Sequence, residues 1–238
     1  MTKRSNELGL PIGAEVPGWT TRARPPRAVL EGRHCRLEPL EAARHAAQLF
    51  EANSLDRDGR MWTYLLSGPF ESFDEYSAWL ESRQASVDPL FYAIVERSSG
   101  LAVGVASYLR IDPANGSVEV GHLQFSPRLQ RRTAATEAMY LMMKQAFDLG
   151  YRRYEWKCDA VNAGSRRAAE RLGFTFEGVF RQAVVYKGRN RDSAWFSIID
   201  AEWPLLDAAY RRWLDPANFD DSGHQRFSLG DEIARTRG

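Results

Sequence analysis

Apolar positions alternate between helical and extended spacing from about residue 28 to residue 215. Val29 to Leu37 reads as a first strand. Between Glu41 and Ala52, the residues Ala42, Ala46, Leu49 and Phe50 recur at i, i+4, i+7 and i+8, which is one face of a helix. A loop rich in aromatics follows and contains Trp62 and Tyr64. A second helix is expected from Phe73 to about Ala85, with Phe73, Tyr76, Trp79 and Leu80 inward and Ser72 as its N-cap. Leu90 to Glu96, Ala102 to Ile111 and Ser117 to Phe125 have strand composition and are divided by turn residues at Ser99-Gly100 and Pro113-Ala114-Asn115-Gly116. A long helix, about Thr133 to Leu149, carries Ala135, Met139, Met142, Ala146 and Leu149 as its stripe and stops at Gly150. The pattern then gives a strand (Tyr154 to Cys158), a helix (Ala163 to Leu172), two strands (Thr175 to Lys187 and Arg191 to Glu202) and a closing helix (Trp203 to Leu214).

Hairpins followed by strand–helix alternation predict an α/β (α+β) fold, with a mixed central sheet of about seven strands and helices on both faces. Residues 1–27, rich in Pro, Gly and Arg, read as an extended arm, 28–214 as one domain, and 215–238 as a polar tail. Lys plus Arg is 32 against 31 for Asp plus Glu, a net charge of +1. That balance argues against a protein built mainly to hold nucleic acid or an anionic membrane. No apolar run has the ~18 residues of a membrane span, and no signal-peptide core is evident, so a cytoplasmic protein is expected. Cys35 and Cys158 show no redox or ligand spacing, nor do His34, His45, His122 and His224, so no metal is expected.

Candidate chemistry concentrates where strands deliver the chain into helices, because ligands of open α/β sheets bind beyond strand C-termini. Glu119 to Phe125 leads through Ser126-Pro127-Arg128-Leu129-Gln130-Arg131-Arg132 into the helix opening Thr133-Ala134-Ala135-Thr136. A helix start offers unpaired N–H groups and partial positive charge, and small residues there let a phosphate approach. Arg128, Arg131 and Arg132 add charge.

These residues, with Asn162-Ala163-Gly164-Ser165 and Leu172-Gly173-Phe174 followed by Glu177-Gly178, resemble the GNAT N-acyltransferases over about residues 28–214. The closer similarity is to the RimJ/RimL-like branch, whose founding members acetylate protein N-terminal amines. The resemblance implies a sheet splayed between the fourth and fifth strands, here 117–125 and 154–159. It implies acyl-coenzyme A, most simply acetyl-CoA, held by the strand edge at Leu123 and Phe125, by Gln130, Arg131, Arg132, Thr133, Ala134, Ala135 and Thr136, and by Asn162 and Ser165. The family's loop carries glycine where this chain has Thr133, and many members carry one where it has Arg131.

Amide formation from a thioester needs an uncharged amine, yet a lysine titrates at roughly 10.4 and an N-terminal amine at roughly 7.7–8.0. A base must take that proton. Glu119 is the first candidate, with a bulge at Gly121 expected to splay the sheet. His122 competes, although a regular strand would point it to the opposite face. Where many GNAT enzymes carry a tyrosine acid, this chain has Ala169, so the resemblance gives the sulfur's partner as Ser165. Trp62, Tyr64, His122 and Tyr186 are candidate walls of the amine pocket. Acceptors in view are a protein N-terminus or a small amine. Alternatives are a larger acyl group such as succinyl, or a non-catalytic acyl-CoA binder. The late strands offer a surface for a homodimer.

Overall fold

The computed structural model describes residues 4–237. Residues 1–3 of the expected arm and residue 238 of the expected tail lie outside the described part. A small hairpin, β1 (Arg4–Ser5) with β2 (Pro11–Ile12), precedes the body. The main sheet has eight strands: β3 (Leu30–Glu31), β4 (Cys35–Pro39), β5 (Leu90–Glu96), β6 (Ala102–Asp112), β7 (Ser117–Phe125), β8 (Arg153–Asp159), β9 (Thr175–Tyr186) and β10 (Arg189–Ile199). Their order across the sheet is β3-β4-β5-β6-β7-β8-β10-β9. Every neighbouring pair is antiparallel except β7 and β8, which run parallel.

Helices α1 (Ala42–Asn53) and α2 (Phe73–Gln84) cover one face of β4–β6. The other face packs against α3 (Thr133–Asp148), α4 (Ala163–Arg171) and α5 (Trp203–Trp213). β5 shows the division residue by residue. Phe91, Ala93 and Val95 join the α1/α2 cluster, whereas Leu90, Tyr92 and Ile94 join the α3/α5 cluster. A strand buried on both faces reads as an unbroken apolar run, which is why its alternation is hidden in the sequence. Ser72 caps α2 as expected, its side chain accepting the Glu75 N–H at 3.2 Å. Phe73, expected inward, is instead exposed at 42%, with its ring edge-on to Phe50.

The expected strand Val29–Leu37 is split in two, and the cause lies far away in sequence. Glu137 in α3 is buried and accepts the backbone N–H groups of Arg33 (2.8 Å), His34 (2.6 Å) and Cys35 (2.8 Å). The chain turns around that carboxylate, and β3 folds back on β4. A Cβ on Gly32 would stand 2.6 Å from Glu137 Oε2, so only glycine fits there without displacing the carboxylate.

Both end segments are more structured than their composition suggests. The arm runs along the end of the sheet where β7 and β8 begin. Trp19 Nε1 donates to Ala114 O at 2.9 Å, Arg22 N to Pro113 O at 3.0 Å, and Tyr92 Oη to Pro26 O at 2.9 Å. Residues read as a polar tail form α6 (Leu229–Arg237), which places Leu229 and Ile233 in the main core. Glu232 anchors it, pairing with Arg212 at 2.8 Å and Arg235 at 2.6 Å. β9 is an edge strand with Phe176, Val179, Phe180 and Val185 exposed. Among the described residues, no helix is long and apolar enough to cross a membrane.

Candidate active site

The seam between β7 and β8 is short. Ser117 to Val120 pair with Arg153 to Trp156, and pairing stops there although both strands continue. Beyond that point the edges of 121–125 and 157–159 face one another unpaired, at the C-terminal ends of two parallel strands. These are the fourth and fifth of the long strands, so the expected splay is present.

The bulge lies one residue later than expected. Ser107 pairs with Gly121 and Val105 with Gln124, which leaves one extra residue on β7, and His122 takes φ 50°. The insertion reverses the expected facing of His122. Its Nδ1 lies 2.9 Å from Ser107 Oγ and its ring 5.1 Å from that of Phe91, on the α1/α2 face. Glu119 pairs with Leu109 and shares that face, so both candidate bases point the same way. Burial pulls the His122 imidazole down to about 4, with Arg83 adding to the effect, so the ring is neutral near pH 7. The folded protein therefore resists a proton that the unfolded chain accepts near 6.5, and stability falls as pH drops from 6.5 toward 4. His122→Asn is expected to flatten that limb in urea titrations taken at successive pH values.

Glu119 is buried, and its Oε2 lies 2.9 Å from Lys157 Nζ and 3.6 Å from Arg110 Nε. Burial pushes its carboxyl above the ordinary range, and the two cations offset part of the rise. Lys157 also pairs with Glu155 at 2.7 Å and sits 3.5 Å above the Trp195 ring, so it is held from three sides.

Across the gap, Asn162 caps α4, its Oδ1 accepting Ser165 N–H at 3.0 Å. The Ser165 hydroxyl accepts the Trp156 indole N–H at 2.9 Å. An indole can only donate, so this contact leaves the Ser165 hydrogen for another acceptor, and the Cys158 sulfur is one within its reach. Cys158 packs in the core beside it, and burial raises its thiol while a hydrogen bond from Ser165 partly offsets the rise.

The loop leading to α3 is braced internally. Gln130 Nε2 donates to Phe125 O at 2.8 Å, Ser126 Oγ to Val103 O at 2.6 Å, and Arg128 pairs with Glu51 at 2.5 Å. Arg131 adopts φ 60°, the left-handed conformation that explains why glycine suits this position. Arg131→Gly is expected to raise unfolding stability by about 0.5–1 kcal/mol, read by thermal melting, because strain is relieved at some entropic cost. Thr133 sits in the first helical turn with negative φ, so its replacement of glycine is sterically allowed. Ala134, Ala135 and Thr136 are buried against the body, whereas Gln130, Arg131 and Arg132 are exposed. Arg33, His34, Arg97, Arg132, Thr133 and Ala134 border a cavity of about 410 Å³ at this helix start. Arg33 and Arg97 come from distant turns and carry no local signal; only the fold brings them to the loop.

The opposite wall is closed by the β9–β10 hairpin. Lys187 Nζ donates to Trp62 O at 2.7 Å, tying the hairpin tip to the α1–α2 loop. Tyr186 donates to the buried Asp159 at 2.8 Å; burial and that carboxylate push its phenol up to about 12, and Tyr64 acts electrostatically from the loop side. Trp62 is buried edge-on against Phe70, so it serves partly as packing.

The family model described as the acetyltransferase (GNAT) domain matches residues 34–175. A GCN5-related N-acetyltransferase from Brucella melitensis is 49% identical, with a TM-score of 0.90 over 92% of this chain and 100% of that one. A protein from Chromobacterium violaceum, described as a probable acetyltransferase of the GNAT family, is 43% identical, with a TM-score of 0.76 over 82% and 98% of the two chains. RimL, a ribosomal L7/L12 alpha-N-protein acetyltransferase, shares the fold at 20% identity and a TM-score of 0.62 over 72% and 94%. No curated protein matches. The chain belongs to the GNAT acetyltransferase family and is an N-acetyltransferase of that family.

Proposed function

We propose that this enzyme moves an acetyl group from acetyl-CoA to a primary amine, either a protein N-terminal amine or a small amine. The observation that carries the reading is the seam that opens after Val120 and Trp156, with the buried Glu119 carboxylate on one side and the Ser165 hydroxyl on the other. Acetyl-CoA supplies an acyl group activated as a thioester. The unpaired edges of β7 and β8 offer backbone partners for a pantetheine arm running between them. The α3 start, with Arg131, Arg132 and Arg33 near it, suits the diphosphate. Asn162 contributes its remaining amide hydrogen-bonding capacity at the strand end.

Glu119 acts as the base. Burial gives it a higher proton affinity than an ordinary carboxylate, while Lys157 holds the carboxylate in place. Ser165 protonates or hydrogen-bonds the departing sulfur, turning its hydrogen from the Cys158 side toward the cleft, since its contact with Trp156 uses a lone pair and not that hydrogen. Trp62, Tyr64, His122 and Tyr186 border the amine, with His122 neutral and thus no repulsion to an incoming cation.

Free-thiol release from acetyl-CoA, measured with a panel of peptide and small-molecule amines, tests this reading. Amine-dependent release is expected. Tight coenzyme A binding with no release for any amine, or release only from succinyl-CoA, would replace the proposal with the binder or the larger-acyl reading. Ser165→Ala is expected to lower kcat by roughly 10- to 100-fold with KM for acetyl-CoA little changed.

A further inference from the structure

The cavity of about 410 Å³ at the start of α3 has room for more than a diphosphate, since sites that bury a drug-sized ligand run from roughly 300 to 1,000 Å³. Its lining beyond Arg132, Thr133 and Ala134 comes from two turns. Arg33 and His34 belong to the turn between β3 and β4, and Glu96, Arg97 and Ser98 to the end of β5 and the turn after it.

The first of these turns is fixed from both sides. Glu137 accepts its N–H groups at Arg33, His34 and Cys35, which would otherwise form a nest for an external anion. Arg97 holds the other side, pairing with Glu31 and donating Nε to Gly32 O at 3.2 Å. The backbone amides and the Arg97 guanidinium are thus already occupied within the protein. Arg33 and Arg132 are not. Among the described residues, neither side chain has an ion-pair or hydrogen-bond partner, and both are exposed. Glu96 is the one acid on the lining, and its Oε2 accepts the Ser99 hydroxyl at 2.9 Å. Two unspent guanidinium groups from separate elements therefore leave the cavity cationic.

We propose that this cavity receives the ribose 3′-phosphate of coenzyme A, with Arg33 gripping it and Arg132 beside it, so that the enzyme tells coenzyme A from its 3′-dephospho form. The inference rests on the acyl-CoA reading, in which the diphosphate occupies the α3 start. A phosphate monoester carries about −1.5 to −2 charges near neutrality. A guanidinium fork matches its oxygens two at a time. The covalent tether to the diphosphate makes this second contact intramolecular, so an exposed site still adds to affinity. Glu137 acts one step back, as a positioning residue that holds the Arg33 turn against α3.

Calorimetry with the full chain, comparing coenzyme A with 3′-dephospho-coenzyme A, tests the assignment. Coenzyme A is expected to bind about tenfold more tightly. The preference should shrink at high salt, because the site is open to solvent. Arg33→Ala keeps the backbone N–H that Glu137 accepts, so the turn stays in place. It should cut the preference to about twofold or less by weakening coenzyme A alone. Equal affinity of the wild-type protein for the two compounds, or an equal loss for both in Arg33→Ala, would overturn this inference and leave the acyl-CoA reading standing. No heat with either compound would overturn both.

Discussion

Glu119→Gln is expected to lower kcat for amine-dependent thiol release by ~10²-fold or more, the range for a positioned general base, while coenzyme A affinity stays within about twofold. Gln keeps the size and a polar oxygen toward Lys157 but has no proton affinity. The pH profile gives the sharper reading. A base works when ionised, and burial has moved this carboxyl upward from 4.5, so wild-type activity should fall on the acidic side at a pH above the ordinary carboxylate range. That limb should vanish in Glu119→Gln. His122 sits on the same face with a pKa of about 4 and offers the alternative. If His122→Gln removes turnover and Glu119→Gln does not, the base assignment moves to the imidazole.

Glu137→Ala should cause the largest loss of stability, about 3 kcal/mol or more, read as a lower urea midpoint at unchanged slope. The carboxylate satisfies three backbone N–H groups at 2.6–2.8 Å, and alanine leaves all three without an acceptor. Glu137→Gln should fall between, because its oxygen still accepts while its NH₂ faces donors. Loss of this anchor also frees the Arg33–His34 turn from α3, so weaker coenzyme A binding is expected alongside. An unchanged midpoint in Glu137→Ala would refute the anchoring role.

Much of the architecture could be read from spacing. The stripe of α3, the Ser72 cap and the short turns between β5, β6 and β7 are local signals, and local physics decides them. The loop 126–136 and the Asn162–Ser165 pair were also visible, because helix starts reuse the same residue types. What stayed hidden depends on partners distant in the chain. The break after Glu31 is imposed by Glu137, about a hundred residues on. Gly121 marked the bulge, but nothing in the sequence showed that its positive φ would fall one residue on, on His122, and turn that ring to the other face. Lys157 gives no sign of pairing with Glu119 until the parallel register places Glu155 opposite it. Leu229 and Ile233 do sit four apart, but a turn of helix that short is legible only once α5 is there to receive it.

The arm at the closed end of the seam has a mechanical consequence. The sheet is two leaves, β3–β7 and β8–β10, stitched by four residue pairs, and Trp19 lies against Gly116 and beneath Arg152 where the stitching begins. The arm thus works as binding tape on the spine of a book. A slackened spine would be felt at the page edges, as a changed spacing between Glu119 and Ser165.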